Sequence, residues 1–159
     1  MRGLLVAGVA LVGLASLGCS GIMGFGTPLS RTAVSSGTPW SVQYTASSSK
    51  PHQLWLEYDL SATGMTYRVS GDILVADAGG TMAQSWPLDF TKTGSPVPGS
   101  GRVTLYQRSF SSGGTTSESA TVWLVELPAV PAGTSMTVSG TWTLDPSTTA
   151  SQLDVVVTD

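Results

Sequence analysis

The sequence has one cysteine, one histidine and no asparagine, and each shortage excludes a class of protein. A single cysteine, Cys19, excludes an internal disulfide framework and a structural zinc site built from several cysteines and histidines. Without asparagine there is no acceptor for N-glycosylation. Charged residues make up 11 % of the chain and the formal net charge is -3. We therefore expect no nucleic-acid partner and no electrostatic attachment to an anionic membrane.

The beginning of the chain differs in composition from the rest. Arg2 is the only charged residue before Arg31, and Leu4 to Leu17 is a run of Leu, Val, Ala and Gly with one Ser. A positive start, an apolar stretch and small residues at its end are typical of a secretory signal peptide. We predict that residues 1–18 are this signal and take no part in the fold.

The end of that segment, Ser16-Leu17-Gly18-Cys19, resembles the lipobox of bacterial lipoproteins. The resemblance covers the targeting segment alone, and Ser16 and Leu17 exchange the positions that the usual motif gives them. It implies cleavage between Gly18 and Cys19, a diacylglycerol on the Cys19 thiol and a fatty acyl chain such as palmitate on the new amino group. By the same resemblance Ser20, where an Asp would favour the inner membrane, implies the outer membrane of the cell envelope.

Two other interpretations of this segment stay open. Ordinary signal cleavage at the same bond would release a secreted protein with a free thiol. An uncleaved helix from Leu4 to Phe25 would be about 33 Å long, enough to cross a hydrocarbon core about 30 Å thick. Its frequent glycines weaken such a helix, so the lipoprotein interpretation is preferred. Residues 19–37 are then the lipidated cysteine and a flexible Gly/Ser/Thr-rich tether, and residues 38–159 are the folded domain.

Apolar residues in this domain recur with a period of two, which is typical of strands and not of helices. Eight such segments are separated by clusters of Gly, Pro, Ser, Thr and Asp. We therefore predict an all-β fold, an antiparallel β-sandwich of the immunoglobulin-like or jelly-roll-like kind with about eight strands. The first residues of the eight segments are Trp40, Leu54, Tyr67, Met82, Val103, Thr121, Met136 and Leu153.

Several residues predict details of this sandwich. Pro87 inside the fourth segment indicates an edge strand or a bulge, because proline cannot donate to a sheet. A hairpin between the second and third segments would place Arg68 opposite Glu57 or Asp59. The alternation puts three tryptophans, Trp86, Trp123 and Trp142, on the core side of their strands.

Trp55 is the clearest candidate for a binding surface. It is out of phase with the apolar residues of its strand and in phase with Glu57 and Asp59, so it should face away from the core. An outward tryptophan can stack on a sugar ring or on a partner's side chain, and Tyr106 and Arg108 are predicted to share this face. The alternative is that another segment of the chain covers Trp55.

Chemical signatures of an enzyme are weak. His52 stands alone in a turn after Pro51, where we expect a solvated side chain and no catalytic triad. The carboxylates are scattered, with no motif that pairs two of them as a glycosidase requires. Calcium bound by Asp72 and Asp77 is an alternative, although Asp77-Ala78-Gly79-Gly80 is better explained as a turn. We expect no metal and no cofactor.

These observations predict a non-enzymatic envelope lipoprotein. Its membrane partner would be lipid, through acylated Cys19, and its β-sandwich would bind another envelope protein or have a structural role. A carbohydrate-binding module, with a glycan bound at Trp55, is the first alternative, and a secreted hydrolase is the second. Small β-sandwich lipoproteins that dock secretion machines offer an analogy at the level of fold alone.

Overall fold

The computed structural model describes residues 25–63, 66–93 and 104–159, and within these it describes the backbone alone at 66, 90–93 and 104–109. Gly18 and Cys19, with the predicted signal and cleavage site, lie outside the described residues. The regular structure of the described part is entirely β. It consists of nine strands: β1 Pro28–Ala33, β2 Pro39–Thr45, β3 Gln53–Thr63, β4 Thr66–Asp77, β5 Met82–Thr93, β6 Thr104–Ser112, β7 Thr115–Glu126, β8 Ser135–Leu144 and β9 Thr148–Thr158.

The strands form two antiparallel sheets that pack face to face, which confirms the predicted sandwich. The larger sheet has the order β1-β9-β3-β7-β6 and the smaller has the order β2-β8-β4-β5. Alternate side chains of each strand enter the space between the sheets, because successive residues of a strand face opposite sides. The fully buried members of this core include Leu54, Leu56, Leu60, Val69, Val75, Val138, Trp142, Val155 and Val157.

The first strand lies in the segment predicted to be a tether. Residues Pro28–Ala33 pair with β9, with Arg31 opposite Val156 and Ala33 opposite Asp154. The backbone N–H of Val34 then donates to the carbonyl of Leu153. The sheet therefore begins at Pro28, ten residues before the predicted start of the domain at residue 38. This edge strand is rich in polar residues, and all six of its residues are exposed or only partly buried.

The predicted hairpin between the second and third segments is also wrong. Those segments are β3 and β4, and they lie in different sheets. Arg68 instead faces its hairpin neighbour β5, where its guanidinium contacts the carboxylate of Asp89 at 3.2 Å. The expectation for Pro87 is confirmed, since β5 is an edge of the smaller sheet. A short connection in sequence thus joins the two layers instead of two neighbours in one layer.

The smaller sheet is organised around Trp142. Its indole N–H donates to the carbonyl of Asp72 at 2.8 Å, and its ring meets Trp40 edge to face with centroids 4.7 Å apart. The ladder between β4 and β8 has no pairing between the pairs Gly71/Trp142 and Leu74/Ser139. In this gap the carbonyl of Asp72 accepts from the indole instead of from a strand N–H. A Cβ on Gly140 would overlap the Asp72 carbonyl and touch the Trp40 ring. Glycine at 140 is what allows the two tryptophans to pack here.

Candidate functional site

Trp55 faces away from the core of the sandwich, as its phase predicts, but it is covered. Only 2 % of the residue is exposed. Its indole N–H donates to the hydroxyl of Thr158 at 3.1 Å, and the ring of Phe25 lies against it with centroids 5.2 Å apart. Of the two alternatives for Trp55, cover by another segment of the chain is the one the structure shows. A sugar ring could stack on this indole only after Phe25 moved away.

The neighbours of Trp55 on this outer face are apolar. Val156 of β9 pairs with it on one side, and Trp123 of β7 pairs with it on the other. Trp123 is partly buried on the outer face, so its predicted place in the core is wrong. The error has a local cause: a bulge in the β3–β7 pairing follows Leu54, and apolar residues therefore occupy both phases of β7. Val122 and Leu124 are the ones that enter the core.

Tyr106 and Arg108 lie on β6, at the edge of the same sheet. Their side chains are outside the described part of the structure. In the backbone register Tyr106 is beside Thr121, which is beside Glu57, and Arg108 is beside Ser119, which is beside Asp59. The sheet thus brings the strands of Trp55, Tyr106 and Arg108 together, with β7 between them. It does not join these residues into one exposed aromatic platform, because Trp55 is covered.

An ion-pair group missed at the level of sequence lies next to Trp55. Arg31 of β1 reaches across β9, and its Nη1 is 2.6 Å from Glu57 Oε2 and 3.1 Å from Asp154 Oδ2. Arg31 is half exposed, so each pair is worth less than about 1 kcal/mol. Its main effect is to fix β1 on the sheet. Because Arg31 was placed in a tether, no sequence signal connected it with Glu57.

His52 is fully buried, and the expectation of a solvated turn histidine is wrong. Its Nε2 accepts a hydrogen bond from the backbone N–H of Ser47 at 3.2 Å, and its ring lies 5.5 Å from that of Tyr44. Its Nδ1 has no hydrogen-bond partner among the described residues. The backbone carbonyl of His52 accepts from Leu127 N–H. This histidine closes a loop between the sheets.

Glu118 is a buried carboxylate in the space between the sheets. Tyr58 donates to it, with 2.5 Å between Tyr58 Oη and Glu118 Oε1. Burial, followed by the hydrogen bond and the charge of Glu118, raises the pKa of Tyr58 well above its usual range. Burial and the same charge raise the pKa of Tyr67. Both phenols therefore remain protonated, and Tyr58 is the one that donates to the carboxylate. The sequence signal was present, because Glu118 shares its phase with Ala120 and Val122.

The alternative calcium ligand Asp77 is used within its own turn. Its Oδ1 accepts from the backbone N–H groups of Gly79 and Thr81, each at 2.9 Å. Gly80 has a φ of 79°, which favours glycine. This confirms the interpretation of residues 77–80 as a turn. Within the described ranges no three His, Cys, Asp or Glu side chains come together as a metal site.

The described residues contain no helix long and apolar enough to span a membrane. Phe25, the last residue of the alternative membrane helix, is in contact with the domain. Comparison of the chain with protein-family models, with curated proteins and with solved structures finds no match.

Proposed function

We propose that the chain is an exported envelope lipoprotein, held in the membrane by acylated Cys19, whose β-sandwich binds another envelope protein. The observation that carries protein binding is the side of the sandwich formed by β5 and β6. Among the described strands each of these has one neighbour only, as do β1 and β2 on the opposite side. Unpaired strand edges are a common route to pairing with another chain.

Exposed apolar side chains support this choice of side. Within the described residues the large apolar side chains with the greatest exposure are Met82 of β5, at 59 %, and Phe110 of β6, at 69 %. The register places Phe110 opposite Ser117, which is opposite Ser61. An aromatic ring that projects from a flat Ser/Thr surface resembles the anchor residues that dominate protein interfaces.

The envelope address rests on the lipobox-like Ser16-Leu17-Gly18-Cys19 and is supported by the position of Phe25. Cleavage before Cys19 leaves the contact of Phe25 with Trp55 intact. The lipid-anchored form is therefore compatible with the fold as it stands.

A site-specific photo-crosslink tests the proposal. A photoreactive phenylalanine analogue replaces Phe110 in cells that naturally make the protein, and the matched control replaces Gln43, an exposed residue on the opposite edge strand β2. We expect a discrete protein adduct from position 110 and none from position 43. The variant Phe110→Asp should lose the partner during co-purification, whereas Gln43→Asp should keep it.

Intact mass of the recovered protein tests the address in the same material. We expect a chain that begins at Cys19 and carries the mass of its acyl groups. An unprocessed chain in the cytosol would contradict the address. Equal crosslinking from both positions, or a glycan adduct in place of a protein, would contradict the function.

A further inference from the structure

The two ends of the sandwich differ in their distance from Cys19. Pro28 at the start of β1 lies beside Thr158, which lies beside Gln53, the first residue of β3. The strand directions place loops 46–52, 78–81 and 127–134 at this same end, which we call the proximal end. The opposite, distal end carries the connections 34–38, 113–114 and 145–147.

Residues 25–27 are held on the proximal end by three contacts. Phe25 lies on Trp55, the N–H of Thr27 donates to the carboxylate of Asp159, and the N–H of Asp159 donates to the carbonyl of Thr27. Six residue steps separate Cys19 from Phe25. A fully extended chain of that length covers about 20 Å.

This reach is shorter than the domain. β9 has 11 residues, which at about 3.3 Å per residue gives a length of about 36 Å. With Cys19 held in the membrane, the distal end could touch the membrane only if residues 19–25 spanned the full length of the sandwich, and they are too short. A lipid on Cys19 therefore prevents the domain from inverting. The covalent geometry keeps the proximal end near the lipid.

The composition of the proximal end suits this position. Loop 127–134 has no charged residue, and its Ala129, Pro131 and Ala132 are exposed. Met82, also exposed, begins β5 at the same end. Asp77, Glu126 and Asp159 are at this end too, so attraction to anionic lipid is not what orients the domain.

We propose that the proximal end of the sandwich faces the membrane, with loop 127–134 against the lipid headgroups and the distal end directed away from it. The inference rests on the proposed function, because it requires the residues before Phe25 to be held in a bilayer. The contact of Phe25 with Trp55 holds the chain on the proximal end, so that only the short segment before Phe25 separates the domain from the membrane.

Fluorescence quenching at two matched positions tests this orientation. The full chain, purified from membranes, is placed in phosphatidylcholine vesicles that contain a lipid with a nitroxide on its headgroup. Each sample carries one thiol-reactive fluorophore, at Ala132→Cys on the proximal end or at Ala150→Cys towards the distal end of β9; both alanines are exposed. Acylation blocks the Cys19 thiol, so the introduced cysteine is the labelled one.

We expect several-fold stronger quenching at position 132 than at position 150. Insertion of 20 Gly/Ser residues between Gly24 and Phe25 should abolish this difference, because such a linker has an average span of about 25 Å and a far greater reach. A difference that survives the insertion would overturn the proposal, since the short anchor would not be its cause.

The outcomes separate this proposal from the one on which it rests. Equal quenching at the two positions in protein whose mass shows the acyl groups overturns the orientation alone. A mass without acyl groups overturns the lipid anchor itself, whatever the quenching, because Cys19 is then also open to the fluorophore. Protein that does not float with the vesicles overturns both.

Discussion

Tyr58 and Glu118 meet as diagonal neighbours on β3 and β7, where the tyrosine hydroxyl donates to a carboxylate that is 3 % exposed. In the register Tyr58 faces Ala120 and Glu118 faces Leu60, so the two side chains are one pair apart, within reach across a sheet. A buried carboxylate is tolerated only when donors compensate the loss of water. This contact makes the inside of the sandwich polar at one place.

Replacement of Tyr58 with Phe removes this donor, and we expect the free energy of unfolding to fall by about 1–3 kcal/mol. The matched control is Tyr67→Phe, because the Tyr67 hydroxyl is buried with no hydrogen-bond partner among the described residues. Its removal should be neutral or slightly stabilising. Urea unfolding followed by tryptophan fluorescence measures both. Equal losses in the two variants would contradict the role given to Glu118.

The same tyrosine predicts instability at alkaline pH. Its pKa is raised in the folded protein by burial and by Glu118, while in the unfolded chain it is about 10. Above about pH 10 the folded state therefore binds more protons than the unfolded chain. The stability that Tyr58 contributes in this way is fully present below about pH 10 and is lost as the pH rises above it. Each such tyrosine contributes a slope of about 1.4 kcal/mol per pH unit. Unfolding free energies measured across this range should fall less steeply for Tyr58→Phe than for the unaltered chain.

A methyl group at position 140 should disrupt the smaller sheet. The added Cβ of Gly140→Ala would overlap the Asp72 carbonyl that accepts from Trp142, so we expect a loss of about 2 kcal/mol or more. Gly79→Ala is the control, since its Cβ would meet only the Asp77 carboxylate at 3.3 Å; its effect should stay within about 0.5 kcal/mol. Thermal unfolding and the near-ultraviolet circular dichroism of the tryptophans are the readouts. Unchanged tryptophan signals in Gly140→Ala would contradict this account.

His52→Ala should destabilise the loop between β2 and β3. It leaves a cavity beside Tyr44 and removes the acceptor of the Ser47 N–H, and we expect a loss of about 2–4 kcal/mol. His52→Phe keeps the ring but not the acceptor, so its loss should be smaller. Lys50→Ala, an exposed change in the same loop, should cost less than about 0.5 kcal/mol. Protection of the loop amides from hydrogen exchange should follow the same order. A loss of stability for His52→Ala as small as that for Lys50→Ala would contradict the burial of His52.

The fold class could be predicted from the sequence because its signal is local. Alternation along eight segments depends only on neighbouring residues, and those segments correspond to β2–β9. Pro87 alone limited the fourth segment, β5, to an edge strand or a bulge, and β5 is an edge strand. Pairing between strands was less predictable. β3 and β4 are close in the chain but belong to different sheets, and no residue between them indicates that the chain changes sheet there.

The candidate site was predicted in part for the same reason. The outward direction of Trp55 follows from the phase of its own strand. Its cover does not, because Phe25 and Thr158 reach it from 30 and 103 positions away in the chain. His52 was misjudged because a polar residue beside proline is usually solvated, whereas here the loop folds inward. The error for Trp123 came from a bulge, which shifts the alternation without changing the composition.

The position of β9 between β1 and β3 has a consequence for the order of folding. The larger sheet receives its second strand from the last residues of the domain, so Leu54 and Leu56 lack their neighbours Val157 and Val155 until those residues have been synthesised. Proteins dominated by contacts between distant residues fold slowly. A domain whose larger sheet stays incomplete until its ninth strand has been made is therefore expected to fold late and slowly.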